Sequence, residues 1–472
     1  MKRNRFTITF ICCFVGILLF SLPLAAQSKS DQVKKLKDQA AAAERAKDHR
    51  AAADAYAQVL AITPNDAEAY YRKGFAHYSL KENDQAAIDL SQALTKGYKP
   101  QLNIYKVRYY VYLEQKNYDA ALADIQKGLE ITPNDFDFLN SIGEISLERK
   151  QYPEALTAFQ KASVVSPNNG DLYYNIARVN FAMGDAKAQA AAAESALAKG
   201  TRFPGETYHL LADAHQRLRD FPAAIDAYKR AINAKPDVLQ AYRNLSEIYR
   251  SENRFDDAIN VSRQGLGRFV NDGNLYTDLS LYYQLADRPE DAVKAGLSAV
   301  QLLPDKPAGY TILCRAYNDT KNYPSAVEAC NKALKLKPGD GETLFYLGRA
   351  FDLLGDTPRA TAEAKKNYEA EATKYYAQAV AGLMDNVQKD ASSSESWYLL
   401  GNAYFTDNQR EKALEAYRKT IDLSPKFAKA RYNLGILYTL LKQKTAAVEQ
   451  YDRLKDVDAR LADRLRAEID RM

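Results

Sequence analysis

The chain has 472 residues, of which 46% are hydrophobic and 26% charged, with only 21 Gly and 16 Pro, which excludes a low-complexity polymer and supplies ample apolar material for a core. Its formal net charge of +5 falls to +2 once residues 1–26 are set aside, because Lys2, Arg3 and Arg5 lie there with no acidic residue. A near-neutral remainder with no basic block excludes a nucleic-acid footprint.

In chain order, the first element is a leader. Lys2, Arg3 and Arg5 precede an apolar run from about Phe6 to Leu22, and Pro23 is followed by Leu24, Ala25, Ala26 and Gln27. This is the pattern of a secretory signal, with cleavage after Ala26; an uncleaved anchor is the alternative, and the one route by which the chain would meet a membrane. Phe10 and Ile11 are too large to precede a lipid-modified Cys12 or Cys13. An exported protein, periplasmic or secreted, is expected, with Cys314 and Cys330 left as an even pair in an oxidising compartment.

Beyond the leader the chain repeats itself. The segment NDFDFLNSIGEISLERKQYPEALTAFQKASVVSP, residues 134–167, recurs in pattern with a period of 34. It carries Gly143, Tyr152, Ala155, Phe159, Ala162 and Pro167; further strong copies carry Tyr208, Leu211, Ala224, Tyr228, Ala231 and Pro236, and Trp397, Leu400, Gly401, Tyr404, Ala413, Tyr417 and Pro425. The small residue at position 20 of each copy falls on Ala52, Ala86, Ala121, Ala155, Gln189, Ala224, Ala258, Ala292, Ala326, Ala360, Ala413 and Ala447, so twelve copies are counted. Two antiparallel helices approach closely only where facing side chains are small, and apolar residues at spacings of three and four specify such a pair.

These spacings closely resemble the tetratricopeptide repeat. The resemblance implies an all-α, right-handed superhelical solenoid of about twelve helix-turn-helix repeats. The expected organisation is a signal peptide at 1–26, a repeat array at 27–358, a helical insert and linker at 359–393, further repeats at 394–455 and a capping helix at 456–472. The insert follows from Gly348 to Gly401, a spacing of 53 where 34 is the rule, and the cap from the polar amphipathic stretch DVDARLADRLRAEIDRM.

Within the ninth copy, Cys314 and Cys330 fall at motif positions 8 and 24, each eight residues from Asn322 in the turn, so each sits roughly 12 Å of helix rise from that turn. Those positions normally hold a small and a large residue that touch. A structural disulfide fits there; two inert buried thiols, or a redox or metal site, are the alternatives. A metal clip needs more ligands, and His49, His77, His209 and His215 form no zinc motif. No nucleophile elbow, phosphate loop or dinucleotide fingerprint occurs, so no enzyme and no cofactor are expected.

The resemblance further implies that first helices line a concave groove, chiefly through positions 2, 5, 9, 12 and 13. Carried onto this sequence, these positions give two candidate contact surfaces. One is aromatic, with Tyr71, Phe75, Tyr78 and Tyr110, extended by Tyr174, Tyr398 and Phe405. The other is a line of Arg178, Arg243, Arg250, Arg315 and Arg349. A protein or peptide partner in a cell-envelope assembly is expected there, with a glycan or small solute as the alternative ligand. The carboxylate clamp known in the family is matched only in part, by Asn402, Lys429 and Asn433, since Tyr398 stands where the clamp needs lysine and no further copy follows.

Overall fold

The computed structural model describes residues 28–358 and 360–472; the expected leader, with Cys12 and Cys13, lies outside the described residues. The chain divides into two compact units at Asn168. In the N-terminal unit four helix pairs follow one another: α1 (Lys29–Arg45) with α2 (His49–Ile62), α3 (Ala67–Ser79) with α4 (Asn83–Thr95), α5 (Gln101–Glu114) with α6 (Tyr118–Ile131), and α7 (Phe136–Glu148) with α8 (Tyr152–Val165).

The C-terminal unit holds eight more pairs. They begin with α9 (Gly170–Met183) and α10 (Ala186–Ala198), α11 (Pro204–Arg217) and α12 (Phe221–Ala234), α13 (Leu239–Ser251) and α14 (Phe255–Leu266), and α15 (Gly273–Leu285) and α16 (Pro289–Leu302). They continue with α17 (Pro307–Asp319) and α18 (Tyr323–Leu336), α19 (Gly341–Gly355) and α20 (Ala362–Lys389), α21 (Ser394–Thr406) and α22 (Arg410–Leu423), and α23 (Ala428–Leu440) and α24 (Lys444–Lys455). A last helix, α25 (Ala459–Asp470), buries Leu461, Ala462, Leu465 and Ile469 against the end of the stack. The described residues are therefore all-helical, with twelve pairs and a cap.

Each pair is joined at the same kind of place. Ten of the expected alanines, Ala52, Ala86, Ala121, Ala155, Ala224, Ala258, Ala292, Ala326, Ala413 and Ala447, are fully buried. Across the pair a glycine faces a large side chain: a methyl group on Gly143 would lie 2.5 Å from the Phe159 ring, and one on Gly401 would lie 2.7 Å from the Tyr417 ring. The turn after ten of the first helices holds one residue in the left-handed region, with φ near 60° at Lys47, Lys81, Lys116, Lys150, Arg219, Asn253, Asp287, Lys321, Asn408 and Lys442, and Gly184 takes φ 82° after α9. Asp48, Asn117, Asp185, Asp220 and Asn322 then cap the second helices by accepting from backbone N–H groups three residues on.

Two copies depart from this pattern. Gln189 replaces alanine because its amide bonds outward: Nε2 donates to the Leu210 carbonyl at 2.6 Å, and Oε1 accepts from Arg217, tying α10 to α11. In the tenth pair the expected small residue Ala360 is a correction. It lies ahead of α20, and Ala372 is buried in the pair instead, with Tyr376 facing Gly348. The cause is the extra chain length, which the structure makes into a 28-residue second helix where neighbouring second helices have 12 to 14. The small residue therefore moves along with the helix that must carry it.

In the ninth pair, Cys314 and Cys330 are joined as a disulfide, with Cα atoms 5.3 Å apart and both side chains fully buried. The bond occupies the place that glycine and an aromatic ring fill in other pairs.

The C-terminal unit also closes on itself. Arg250 at the end of α13 pairs with Glu395 in the first turn of α21 at 3.1 Å. Just beyond α13, Glu252 pairs with Lys426 at 2.7 Å and Asn253 donates to the Lys426 carbonyl at 3.0 Å. Asp287, after α15, meets Arg460 of α25 at 3.1 Å.

Two outcomes follow from this packing. Gly401→Ala is expected to lower unfolding free energy by about 1–3 kcal/mol, because the added methyl group would overlap the buried Tyr417 ring and force it to shift; chemical denaturation measures it. Thiol labelling of the unfolded, unreduced protein should find neither Cys314 nor Cys330 free, and reduction should lower stability by about 3 kcal/mol, the value for a loop closed over 16 residues.

Candidate binding surfaces

In the N-terminal unit, the aromatic candidates divide into covered and open rings. Tyr71 stacks on Tyr98 at 4.4 Å between ring centres, and burial pushes its hydroxyl up, so it is a packing residue as well as a surface one. Phe75 and Tyr110 remain 41% and 39% exposed, unusual for residues of their size. Tyr78 is half-buried beside Phe75, with ring centres 6.5 Å apart, and burial, followed by Asp137, raises the Tyr110 hydroxyl. The first helices α3 and α5 thus each carry an exposed ring, Phe75 on one and Tyr110 on the other, with half-buried Tyr78 beside Phe75 and Lys81 over the Tyr78 ring at 5.6 Å.

In the C-terminal unit, most of the arginine line is already engaged. Arg243 pairs with Asp278 at 2.9 Å; burial raises that carboxylate's pKa while Arg243 opposes the rise. Arg250 is held by Glu247 at 2.5 Å as well as by Glu395, and these carboxylates outweigh the burial that works against its charge. Arg349 reaches Asp319 at 3.4 Å. Arg178 and Arg315 have aromatic company instead: Arg178 sits 5.7 Å from the Tyr174 ring centre and Arg315 sits 5.5 Å from that of Tyr346, with no carboxylate in ion-pair range of either among the described residues. Tyr174 in turn packs on Phe203 at 5.0 Å.

Tyr398 and Phe405 of α21 face a cavity of about 470 Å3 together with Arg315, Arg349 and Lys429. Its wall contains a hydrogen-bonded cluster in which Asn402 Oδ1 accepts from Tyr417 at 2.9 Å and from Asn433 Nδ2 at 2.8 Å. Tyr346 and Tyr376 complete the aromatic lining. Beside it lies a second cavity of about 320 Å3, and Arg315 lines both. The second is acidic in character, with Asp278, Asp340, Glu342 and Glu395 against Arg315 and Lys337.

Position counting along first helices finds Tyr398, Phe405, Arg315 and Arg349 separately. It misses Tyr376 and Tyr417, which come from second helices; the acids Glu342 and Glu395 stand at position 2 of their copies, but counting does not single them out. The Arg250–Glu395 pair joins residues 145 apart in sequence, and no local pattern announces such a partner.

Glu342 carries a testable consequence. Burial pushes its carboxyl up to about 7; Arg315 opposes this, while Glu395 and Asp340 add to it and Lys337 opposes it. A carboxyl raised in the folded state favours folding at low pH, and the benefit is lost as pH rises through about 7. Glu342→Gln should therefore melt with the parent at pH 4, below the unfolded carboxyl's value, and above it at pH 8, as read by thermal unfolding at the two pH values.

Comparison with known proteins gives a consistent picture. A TPR repeat model matches residues 143–184 and 401–442, a tetratricopeptide repeat model matches 37–99 and 209–266, and a second tetratricopeptide repeat model matches 110–135 and 428–460. The comparison with curated proteins returned no match. Among solved structures, the chain is similar to yeast Tom70 at 16% identity, covering 93% of this chain and 96% of that one with a TM-score of 0.41. It is also similar to MamA at 22% identity, covering 38% of this chain and 97% of that one with a TM-score of 0.32. The TPR domain of P58(IPK) matches at 15% identity, covering 69% and 99%, with a TM-score of 0.25. At TM-scores this low the likenesses carry no function across.

Proposed function

Because the chain belongs to the tetratricopeptide repeat family, whose helical scaffolds serve protein–protein interaction, we propose that it is a non-catalytic scaffold that holds a protein or peptide partner on its first-helix surface. The observation that carries this reading is the exposure of Phe75 and Tyr110 on successive first helices, with half-buried Tyr78 beside Phe75. Exposed aromatic side chains on a rigid helical support are the residues that anchor a partner, since each removes a large apolar area from water at small entropic cost. Arg243, Arg250 and Arg349 are poorer anchors than their positions imply, because an acidic partner would have to displace carboxylates already in place. Arg178 has no such competitor and extends the contact surface of the C-terminal unit.

The proposed setting is outside the cytoplasm, in a cell-envelope assembly. The basic and apolar leader at residues 1–26 supports export, and a disulfide between the two remaining cysteines suits an oxidising compartment. No described helix is long and apolar enough to cross a membrane. A second reading, a groove for a glycan or small solute, is favoured by the tyrosine-walled cavity of the C-terminal unit.

The test is affinity capture from envelope extract with residues 27–472, beside a variant combining Phe75→Ala, Tyr78→Ala and Tyr110→Ala. One protein held by the parent and reduced at least tenfold on an equally helical variant is the expected result. Retention of polysaccharide with no protein would replace the partner reading with the solute reading.

A further inference from the structure

The larger cavity of the C-terminal unit contains a charge imbalance that a partner on the aromatic face does not use. Its lining brings together three cations, Arg315 from α17, Arg349 from α19 and Lys429 from α23, with two carboxylates, Asp319 and Asp352. Both carboxylates have companions: Asp319 takes Arg349 at 3.4 Å and Asp352 accepts from the Tyr376 hydroxyl at 3.5 Å. Arg315 rests over the Tyr346 ring, and neither it nor Lys429 has a carboxylate in ion-pair range among the described residues. Lys429 sits exposed at the rim of the cavity, where Arg315 and Arg349 repel its ammonium while Asp319 and Glu395 attract it. Arg315 also faces Glu342 and Glu395 across the neighbouring cavity, but in this one three cations meet two carboxylates that already have companions, and an anion there would balance the excess.

We propose that this cavity binds a small free anion carrying carboxylate or phosphate groups, held by Arg315, Arg349 and Lys429. Charge-assisted hydrogen bonds from two guanidinium groups and an ammonium supply the affinity, and the tyrosine hydroxyls and the Asn402–Asn433 pair supply polar contacts for the rest of the ligand. A volume of about 470 Å3 suits a compact molecule. The bonds from Arg250 to Glu395 and from Glu252 to Lys426 hold α21 and α23 against the end of α13, which disfavours a long chain threaded through the unit. The binding residues come from α17, α19 and α23, far along the chain from Phe75, Tyr78 and Tyr110, so this assignment and the partner reading can fail independently.

The experiment is calorimetric titration of the full chain, at fixed ionic strength, with citrate, inorganic phosphate, neutral glucose and a short peptide bearing a free carboxyl terminus. Citrate or phosphate should bind at least tenfold more tightly than glucose and than the peptide. Lys429→Met should weaken that anion at least tenfold, while its melting temperature without ligand equals or exceeds that of the parent, since a repelled cation has been removed. Lys444→Met, an exposed charge on α24, should leave affinity unchanged. Equal affinity for citrate, phosphate and glucose would overturn the proposal, as would undiminished anion binding by a folded Lys429→Met protein. Tighter binding of the peptide than of either small anion would overturn the assignment to a free small ligand.

Discussion

Everything in this architecture depends on the distance at which two helices of a pair can meet. Buried alanines on second helices, and glycines such as Gly143 and Gly401 on first helices, remove the side chain that would hold the helices apart. Phe159 and Tyr417 then fill the adjoining space, so close approach and filled volume are one requirement. The disulfide between Cys314 and Cys330 solves the same problem covalently at the same two positions. Gln189 shows the limit of the rule: a larger side chain is accepted where its amide satisfies a carbonyl and an arginine of the next helix.

A repeat pair built this way buries its apolar seam but leaves first-helix surfaces free to vary, and the two units use that freedom differently. The N-terminal unit keeps Phe75 and Tyr110 open to solvent. The C-terminal unit turns charge inward: Arg243, Arg250 and Arg349 meet Asp278, Glu247, Glu395 and Asp319, and two cavities form around Arg315. Removing solvent from Glu342 is the leading cause of its raised carboxyl, which marks one place where the unit has closed over its own surface.

The paired helices were legible because each is specified within about 34 residues, by small residues, capping side chains and turn residues that act on near neighbours. Register failed in one place, the tenth pair. There a longer chain could be accommodated by loop or helix, and the length of α20 settled it by moving the buried alanine from position 360 to position 372. The candidate surface was legible only as a set of positions. Counting along first helices reached Phe75 and Arg315 alike, although one is exposed on the surface and the other lines two cavities.

By itself, then, the amino-acid sequence determined the repeat, the helix pairs, the cap and the placing of the two cysteines at facing positions of one pair, because those depend on contacts between neighbours in the chain. Only the tertiary structure decided which groove residues remain available. Small rotations between successive pairs accumulate until α13 meets α21 and the loop before α23, and Arg250, Glu395, Glu252 and Lys426 find each other across 145 to 174 residues. No local pattern encodes a contact that arises from the sum of many small rotations.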